Sequence, residues 1–185
     1  LQRRHQKLVE IAPAPGLSSS ARERLVNAAT TLAGAVGYRN IGTFEFLLDS
    51  ATGAVYFIEA NPRLQVEHTV TETVYGVDLV GIQLAIAEGA TLDALGLDGN
   101  GLTPRGIAVQ TRINAETMNE DGSARASAGT LTTFAPAQGT GIRIDSGVAA
   151  GDSLNPAFDS LIAKLIVHSP RSDWASAVTR TSRAL

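Results

Sequence analysis

The chain has 185 residues, 44% hydrophobic and 18% charged, and its 15 Lys and Arg against 18 Asp and Glu give a formal charge of −3; this balance reads as an ordinary soluble globular protein with no overall field for nucleic acid or an anionic membrane. No apolar run approaches the roughly 20 residues that a membrane-spanning helix needs, and no apolar stretch follows the polar start Leu1 to Lys7, so no secretory signal is expected there. With no cysteine, disulfides, thiol catalysis and zinc-thiolate centres are excluded, and the expected compartment is a reducing one, the cytoplasm or, in a eukaryote, the mitochondrial matrix.

In chain order, the sequence opens on a dense polar cluster, Gln2-Arg3-Arg4-His5-Gln6-Lys7. Ser20 and Glu23 then have capping-box spacing, and apolar residues recur with helical period at Leu25, Ala28, Ala29, Leu32 and Val36, with Gly37 placed to end the helix. Strands are predicted over Ile41 to Leu48 and Ala54 to Glu59, joined by the turn Asp49 to Gly53, and an extended stretch over Ala60 to His68. A helix follows from about Asp78, its cap, to Glu88, stopped by Gly89. Gly, Asn and Pro concentrate over Asp98 to Pro104, the predicted boundary. Beyond it, strands are predicted at Ile107 to Ile113, Thr130 to Phe134, Gly141 to Asp145 and Leu161 to Val167, and a last helix from near Ser172, with Trp174 in the core. The fold class expected is α+β, with one domain over 1–97 and a strand-rich one over 104–185. Leu1 falls inside the polar cluster and Ala184-Leu185 inside an amphipathic run, so the 185 residues are expected to be a piece of a longer chain.

Glu45 and Glu59 are the most informative pair. Each sits inside a strongly apolar strand, and a hairpin symmetric about Thr52 sets them opposite one another. Like charges across a strand pair are destabilising, and a charge in apolar surroundings costs several kcal/mol, so a cation is expected to compensate. Asn61, two residues after Glu59, projects from the same face. Two carboxylates and an amide oxygen make an all-oxygen site suited to Mg²⁺ or Mn²⁺ that also touches substrate phosphates. The competing reading is two strand glutamates on a solvated face.

The next stretch, Asn61-Pro62-Arg63-Leu64-Gln65-Val66-Glu67-His68, alternates polar and apolar residues. In an extended backbone Asn61, Arg63, Gln65 and Glu67 share one side. A guanidinium can grip a small planar oxyanion through two parallel hydrogen bonds, and Glu67 beside it has the placement of a general base. The competing reading is an exposed edge with a self-neutralising Arg–Glu pair. His68 falls on the opposite side and is expected to pack.

These stretches, with Gly42-Thr43-Phe44-Glu45-Phe46, Arg112-Ile113-Asn114-Ala115-Glu116 and Phe158-Asp159-Ser160-Leu161, closely resemble the biotin carboxylase family of the ATP-grasp superfamily, in that family's order and over nearly the whole chain. The resemblance implies the C-terminal portion of an ATP-grasp domain over 1–97 and a biotin carboxylase C-terminal domain over 104–185. It implies a ligase that uses MgATP and bicarbonate to form carboxyphosphate and then carboxylates biotin, a substrate carried on a separate carrier domain. By matched position, Glu45, Glu59 and Asn61 would hold the Mg²⁺ or Mn²⁺ that bridges the ATP phosphates. Lys7, Arg63, Gln65 and the backbone of Val66 would bind bicarbonate, Glu67 would deprotonate it, and Arg112 would stabilise the biotin oxyanion. Gln2 and His5 would lie against the ribose, and Leu47 and Ile58 against the adenine. Asp159 and Lys164 are given structural roles.

The implied partners are ATP, bicarbonate, biotin, a carrier domain, a carboxyltransferase and further copies in a homo-oligomer, with an acyl-CoA carboxylase of fatty acid metabolism as the expected setting. A glycine-rich phosphate lid and a lysine pair, which the family uses to grip ATP, are not in this sequence, so the isolated segment is expected to be inactive. Two alternatives remain: a non-catalytic segment that builds an oligomer interface, and another ATP-grasp ligase of carbamoyl-phosphate synthetase type, which would lack the Gln65-Val66-Glu67-His68 run. The basic cluster at Arg3, Arg4 and Lys7 also fits a nucleic-acid patch, but so short a run in a net-acidic chain argues weakly for one.

Overall fold

In a computed structural model, the structure describes residues 1–3, 6–97, 102–155, 157, 159–171 and 173–185. In chain order they form β1 (Gln2–Arg3), β2 (Gln6–Lys7), β3 (Val9–Ala12), α1 (Ser19–Ala35), β4 (Thr43–Leu48), β5 (Val55–Asn61), α2 (His68–Tyr75), α3 (Leu79–Ala87), β6 (Ile107–Asn114), β7 (Glu116–Met118), β8 (Ala124–Ala126), β9 (Gly129–Thr130), β10 (Ile142–Ser146), β11 (Ser153–Leu154), β12 (Leu161–Ser169) and α4 (Trp174–Ala184). Helices beside antiparallel ladders make the fold α+β, as expected. His5, Phe158, Ser172 and Asp98 to Gly101, on which parts of the sequence reading fall, lie outside the described residues. No single helix among the described residues is long and apolar enough to cross a membrane.

Packing divides the chain into two units. One gathers Leu1–Pro13, Thr69–Val74 and Pro104–Leu185; the other gathers Ala14–His68 and Tyr75–Thr103. The first is built on a four-stranded antiparallel sheet in the order β10-β12-β6-β3. Side chains alternate between faces along a strand, and directly paired residues share a face. One face therefore carries Val9, Ile11, Val109, Leu165, Val167, Ile142 and Ile144, the apolar face, and the other carries Glu10, Gln110, Arg112, Lys164, Arg143 and Asp145. Leu165, Ile166 and Val167 are consecutive and all buried, as befits a strand covered on both sides. Thr69 and Glu72 of α2 bond Gln110 and Arg143, which places α2 on the polar face. α4 packs on the sheet through Ala177 and Thr181, one helical turn apart.

The second unit holds α1, the β4–β5 hairpin and α3. α1 starts two residues earlier than its capping-box spacing predicts: Ser18, extended at φ −67° and ψ 152°, is the cap and accepts from the Ala21 N–H at 3.1 Å, so Ser20 lies inside the first turn. Gly37, at φ 59°, ends the helix, as its position after Val36 predicts. α3 also matches its prediction, with Asp78 accepting from the Gly81 N–H at 2.9 Å.

Other expectations are corrected. The extended stretch expected up to His68 gives way there to α2, over residues to which the sequence pattern assigns no element; the helix forms although Thr69, Val70, Thr71, Thr73 and Val74 are β-branched and weak helix formers, and it buries Thr69, Val70, Glu72 and Val74. The strand predicted over Thr130 to Phe134 is confined to Gly129–Thr130, since its partner β11 is two residues long. Trp174, predicted in the core, is exposed: it sits in the first turn of α4, and the small residues Ala177 and Thr181 take the seat on the sheet. Lys164, for which a structural role is expected, is buried and 3.3 Å from Asp145.

Candidate active site

The β4–β5 hairpin positions the central carboxylates. Its turn is built by Asp49, whose side chain accepts from the N–H groups of Ala51 and Thr52 and from the Thr52 hydroxyl, and by Gly53 at φ 70°. From the turn the ladder runs Leu48↔Val55, Leu47↔Tyr56, Phe46↔Phe57, then slips by one residue to Glu45↔Glu59, Phe44↔Ala60 and Thr43↔Asn61. Ile58 is the extra residue. Without that bulge Glu45 would pair with Ile58, and Glu59 and Asn61 would turn to the opposite face, because a one-residue slip exchanges the two sides of a strand. The pairing expected from symmetry about Thr52 is thus present, but a bulge produces it.

Around the two glutamates the amides converge. Asn61 Nδ2 donates to Glu59 Oε1 at 2.8 Å and to Glu45 Oε1 at 3.2 Å, and Gln65 Nε2 donates to Glu45 Oε1 at 2.9 Å. Gln65 is buried, and its Oε1 makes no hydrogen bond. The positive ends of two amide dipoles thus stand against two like charges. Among the described residues no group of three or more His, Cys, Asp or Glu side chains comes together, so the candidate cation centre is two carboxylates and an amide. Each amide carries a carbonyl oxygen on its other arm, and the resulting hard, all-oxygen donor set fits Mg²⁺ or Mn²⁺.

The following segment departs from the extended reading. Pro62 has no N–H to continue the ladder, and the chain bends at Arg63, whose N–H bonds Asn61 O at 2.8 Å. It turns through Val66 and Glu67 and enters α2 at His68, where Gln65 O accepts from the His68 N–H at 3.2 Å and lies 2.8 Å from His68 Nδ1. The strict alternation that would align Asn61, Arg63, Gln65 and Glu67 is therefore not kept. Arg63 is exposed, with Nη1 on Leu64 O at 3.2 Å, and Val66 and Glu67 are half-buried. His68 packs half-buried, as expected. Leu47 and Ile58, the predicted adenine contacts, are both exposed on the hairpin.

The remaining predicted residues belong to the other unit. Gln2 and Lys7 are cross-strand partners in the β1–β2 ladder. Arg112, on β6, donates its backbone N–H to Leu8 O at 2.9 Å, which ties it to the neighbour of Lys7. Its side chain is held by a residue that the sequence reading missed: Glu10 Oε1 accepts from Arg112 Nε at 2.7 Å and lies 2.6 Å from Nη2. The signal was available in Val9-Glu10-Ile11, a carboxylate between apolar strand residues, the same signal that singled out Glu45. Across the sheet, Arg112 directly faces Lys164, and Asp145 stands on the far side of Lys164. Burial opposes the charge on Asp145, but hydrogen bonds from Arg143 and the charges of Arg143 and Lys164 outweigh it and hold the carboxyl below its usual range.

Comparison with known proteins adds the following. Residues 1–95 match the carbamoyl-phosphate synthase L chain ATP-binding domain, and residues 110–185 match the biotin carboxylase C-terminal domain. The chain is 48% identical over 167 residues to pyruvate carboxylase 1 of Caenorhabditis elegans, covering 90% of this chain and 14% of that protein. It is 46% identical over 185 residues to a biotin carboxylase of Nostoc sp., covering 100% of this chain and 40% of that protein. Among solved structures, a single-chain, multi-domain long-chain acyl-CoA carboxylase superposes with a TM-score of 0.93 at 47% identity, over 100% of this chain and 20% of that one. The biotin carboxylase domain of 2-oxoglutarate carboxylase from Hydrogenobacter thermophilus, solved with MgADP and bicarbonate, superposes with a TM-score of 0.87 at 40% identity, over 100% of this chain and 39% of that one. The chain thus spans well under two thirds of the length of these relatives.

Proposed function

The chain belongs to the biotin carboxylase family, and from that premise we propose that it carries part of the active site of an ATP-dependent ligase that carboxylates biotin with bicarbonate. The observation that carries the reading is the cluster in which Asn61 and Gln65 gather the paired carboxylates Glu45 and Glu59. Glu45, Glu59 and Asn61 would hold Mg²⁺ or Mn²⁺, which when bound neutralises phosphate charge.

In this reading Lys7, Arg63, the Gln65 amide and the Val66 N–H hold bicarbonate. The fork of Arg63 fixes its plane, and Glu67 takes its proton, so that a bicarbonate oxygen attacks the terminal phosphorus of ATP, ADP leaves and carboxyphosphate forms. Arg112 would then stabilise the negative charge that the ureido oxygen of biotin gains as the phosphate released from carboxyphosphate takes the N1 proton, and a fixed cation there lowers the barrier. Gln2 and His5 would contact the ribose, and Leu47 and Ile58 would offer apolar surface to the adenine. In the same reading the ATP-grasp part spans 1–97 and the biotin carboxylase C-terminal part 104–185, a division by family rather than by the packing units.

Supporting biotin chemistry over carbamate chemistry is the match of residues 110–185 to the biotin carboxylase C-terminal domain. For the final acceptor we take an acyl-CoA, supported by the 47% identity to the long-chain acyl-CoA carboxylase; pyruvate is the competing outcome, named by the worm relative. A carrier domain bearing biotin, a carboxyltransferase and further copies of the chain are the partners this chemistry calls for. Its setting is the cytoplasm or the mitochondrial matrix, where ATP is maintained. The test is Glu67→Gln in the full-length protein: biotin carboxylation is expected to fall by roughly 10²–10⁴ with assembly intact, and an unchanged rate removes Glu67 from the mechanism. Assay of the parent with acyl-CoA against pyruvate decides the acceptor.

A further inference from the structure

We propose that Glu10 is the positioning residue of Arg112, and that a chain of hydrogen bonds, from the buried Thr69 and Gln110 to the half-buried Glu10 and Arg112, sets which way the guanidinium fork points. The inference rests on the reading of Arg112 as the partner of the biotin oxyanion, and deepens it.

Arg112 stands under two opposed influences. Directly across the ladder is Lys164, a like charge on the same face of the sheet, and cations so placed repel. On the other side Glu10 Oε1 takes both Nε and Nη2, the side-on edge of the fork. A planar guanidinium gripped along one edge has its orientation fixed, and its opposite edge points away from Glu10. Lys164 is drawn the other way by Asp145. The row therefore reads carboxylate, cation, cation, carboxylate, with each carboxylate on the outside.

Glu10 is itself held. Gln110 Nε2 donates to Glu10 Oε2 at 2.9 Å, and Gln110 Oε1 accepts from the Thr69 hydroxyl. Gln110 and Thr69 are fully buried. The Thr69 bond decides which end of the Gln110 amide faces Glu10, so Glu10 meets donors on both of its oxygens. Only a carboxylate satisfies both. A glutamine at position 10 has one acceptor oxygen, and serving Gln110 with it would turn an NH₂ group toward Arg112.

The experiment uses the full-length enzyme and reads two reactions separately: bicarbonate-dependent ATP cleavage without biotin, and biotin carboxylation. Glu10→Gln is expected to lower kcat for biotin carboxylation roughly 10- to 100-fold while ATP cleavage without biotin stays within about threefold. Because Glu10 acts through the guanidinium, Glu10→Gln added to Arg112→Lys is expected to cost nothing beyond Arg112→Lys alone. Should Glu10→Gln fail to fold, Glu10→Asp keeps the charge but withdraws it by one methylene, and an intermediate loss in the same step is expected. Carboxylation at the parent rate by a folded Glu10 variant, or losses that multiply in the double variant, overturn the proposal. If Arg112→Lys itself carboxylates biotin normally, the reading of Arg112 fails and this inference with it; if Arg112→Lys is impaired and Glu10→Gln is not, the positioning role alone fails.

Discussion

Glu45 and Glu59 are cross-strand partners because Ile58 is an extra residue in β5. One bulge thus sets two like charges and the Asn61 amide on a common face, an arrangement that the register next to the turn, continued evenly, does not make. Deleting Ile58 evens the ladder and is expected to abolish Mn²⁺ binding at the hairpin, read by electron paramagnetic resonance. Retention of the Mn²⁺ signal would show that the bulge does not create the site.

The same pair should cost stability. Opposed like charges destabilise a ladder by about 0.2–1 kcal/mol, only partly offset here by the donors on Asn61 and Gln65. Glu59→Gln is therefore expected to raise the melting temperature without divalent cation by up to about 4 °C, from the usual relation between ΔΔG and Tm, and to remove the stabilisation expected of Mg²⁺ in the parent. Calorimetry with and without Mg²⁺ checks both halves.

Gly42 opens the strand that carries Glu45, and a Cβ there would lie 2.8 Å from Tyr38 Cζ and 3.1 Å from Asn61 O. The Tyr38 hydroxyl is tied to Ile41 O at 2.8 Å, so the ring cannot retreat freely. Gly42→Ala is expected to destabilise the protein by about 1–3 kcal/mol, the usual cost of overpacking, and to weaken Mn²⁺ binding by displacing Asn61. Denaturant titration alongside metal titration reads the two effects.

Asp145 predicts an acid limb. Its carboxyl is held below its ordinary value of 3.8 by Arg143 and Lys164 against the opposing effect of burial. A carboxyl lowered in the folded state contributes stability that is fully present above the unfolded value and is lost as pH falls through the folded one. Asp145→Asn should therefore flatten the loss of stability below about pH 4 while lowering stability at neutral pH. Urea unfolding across pH 2.5 to 7, a range of roughly that limb and its plateau, checks this; an acid limb identical to the parent's contradicts it.

Much of the site is legible in the sequence, for identifiable reasons. Glu45 and Glu59 stand out as carboxylates within apolar strands, although β5 leaves Glu59 exposed rather than enclosed, and Asp49 and Gly53 announce the turn between them. Asp78 and Gly89 bracket α3 by capping chemistry alone. What the sequence hid depends on tertiary packing. α2 forms from β-branched residues because four of them or their neighbours are buried, and β3 finds its place beside β6 across about 100 residues, a separation that no local pattern encodes. Arg63 and Glu67 alternate in sequence, but the missing N–H of Pro62 ends the ladder before the alternation can act. Glu10 carries the same local signal as Glu45, a carboxylate between apolar residues, but the partner that gives it a role, Arg112, lies on that distant strand.

The most direct test of the central claim is transfer of isotope-labelled bicarbonate carbon to biotin by the full-length protein with MgATP, comparing the parent with the double substitution Glu45→Gln and Glu59→Gln. The account predicts transfer by the parent and a loss of at least about 100-fold in the variant, the scale on which removal of transition-state electrostatics acts. A parent that carboxylates no biotin, or a variant that does so at the parent rate, would contradict it.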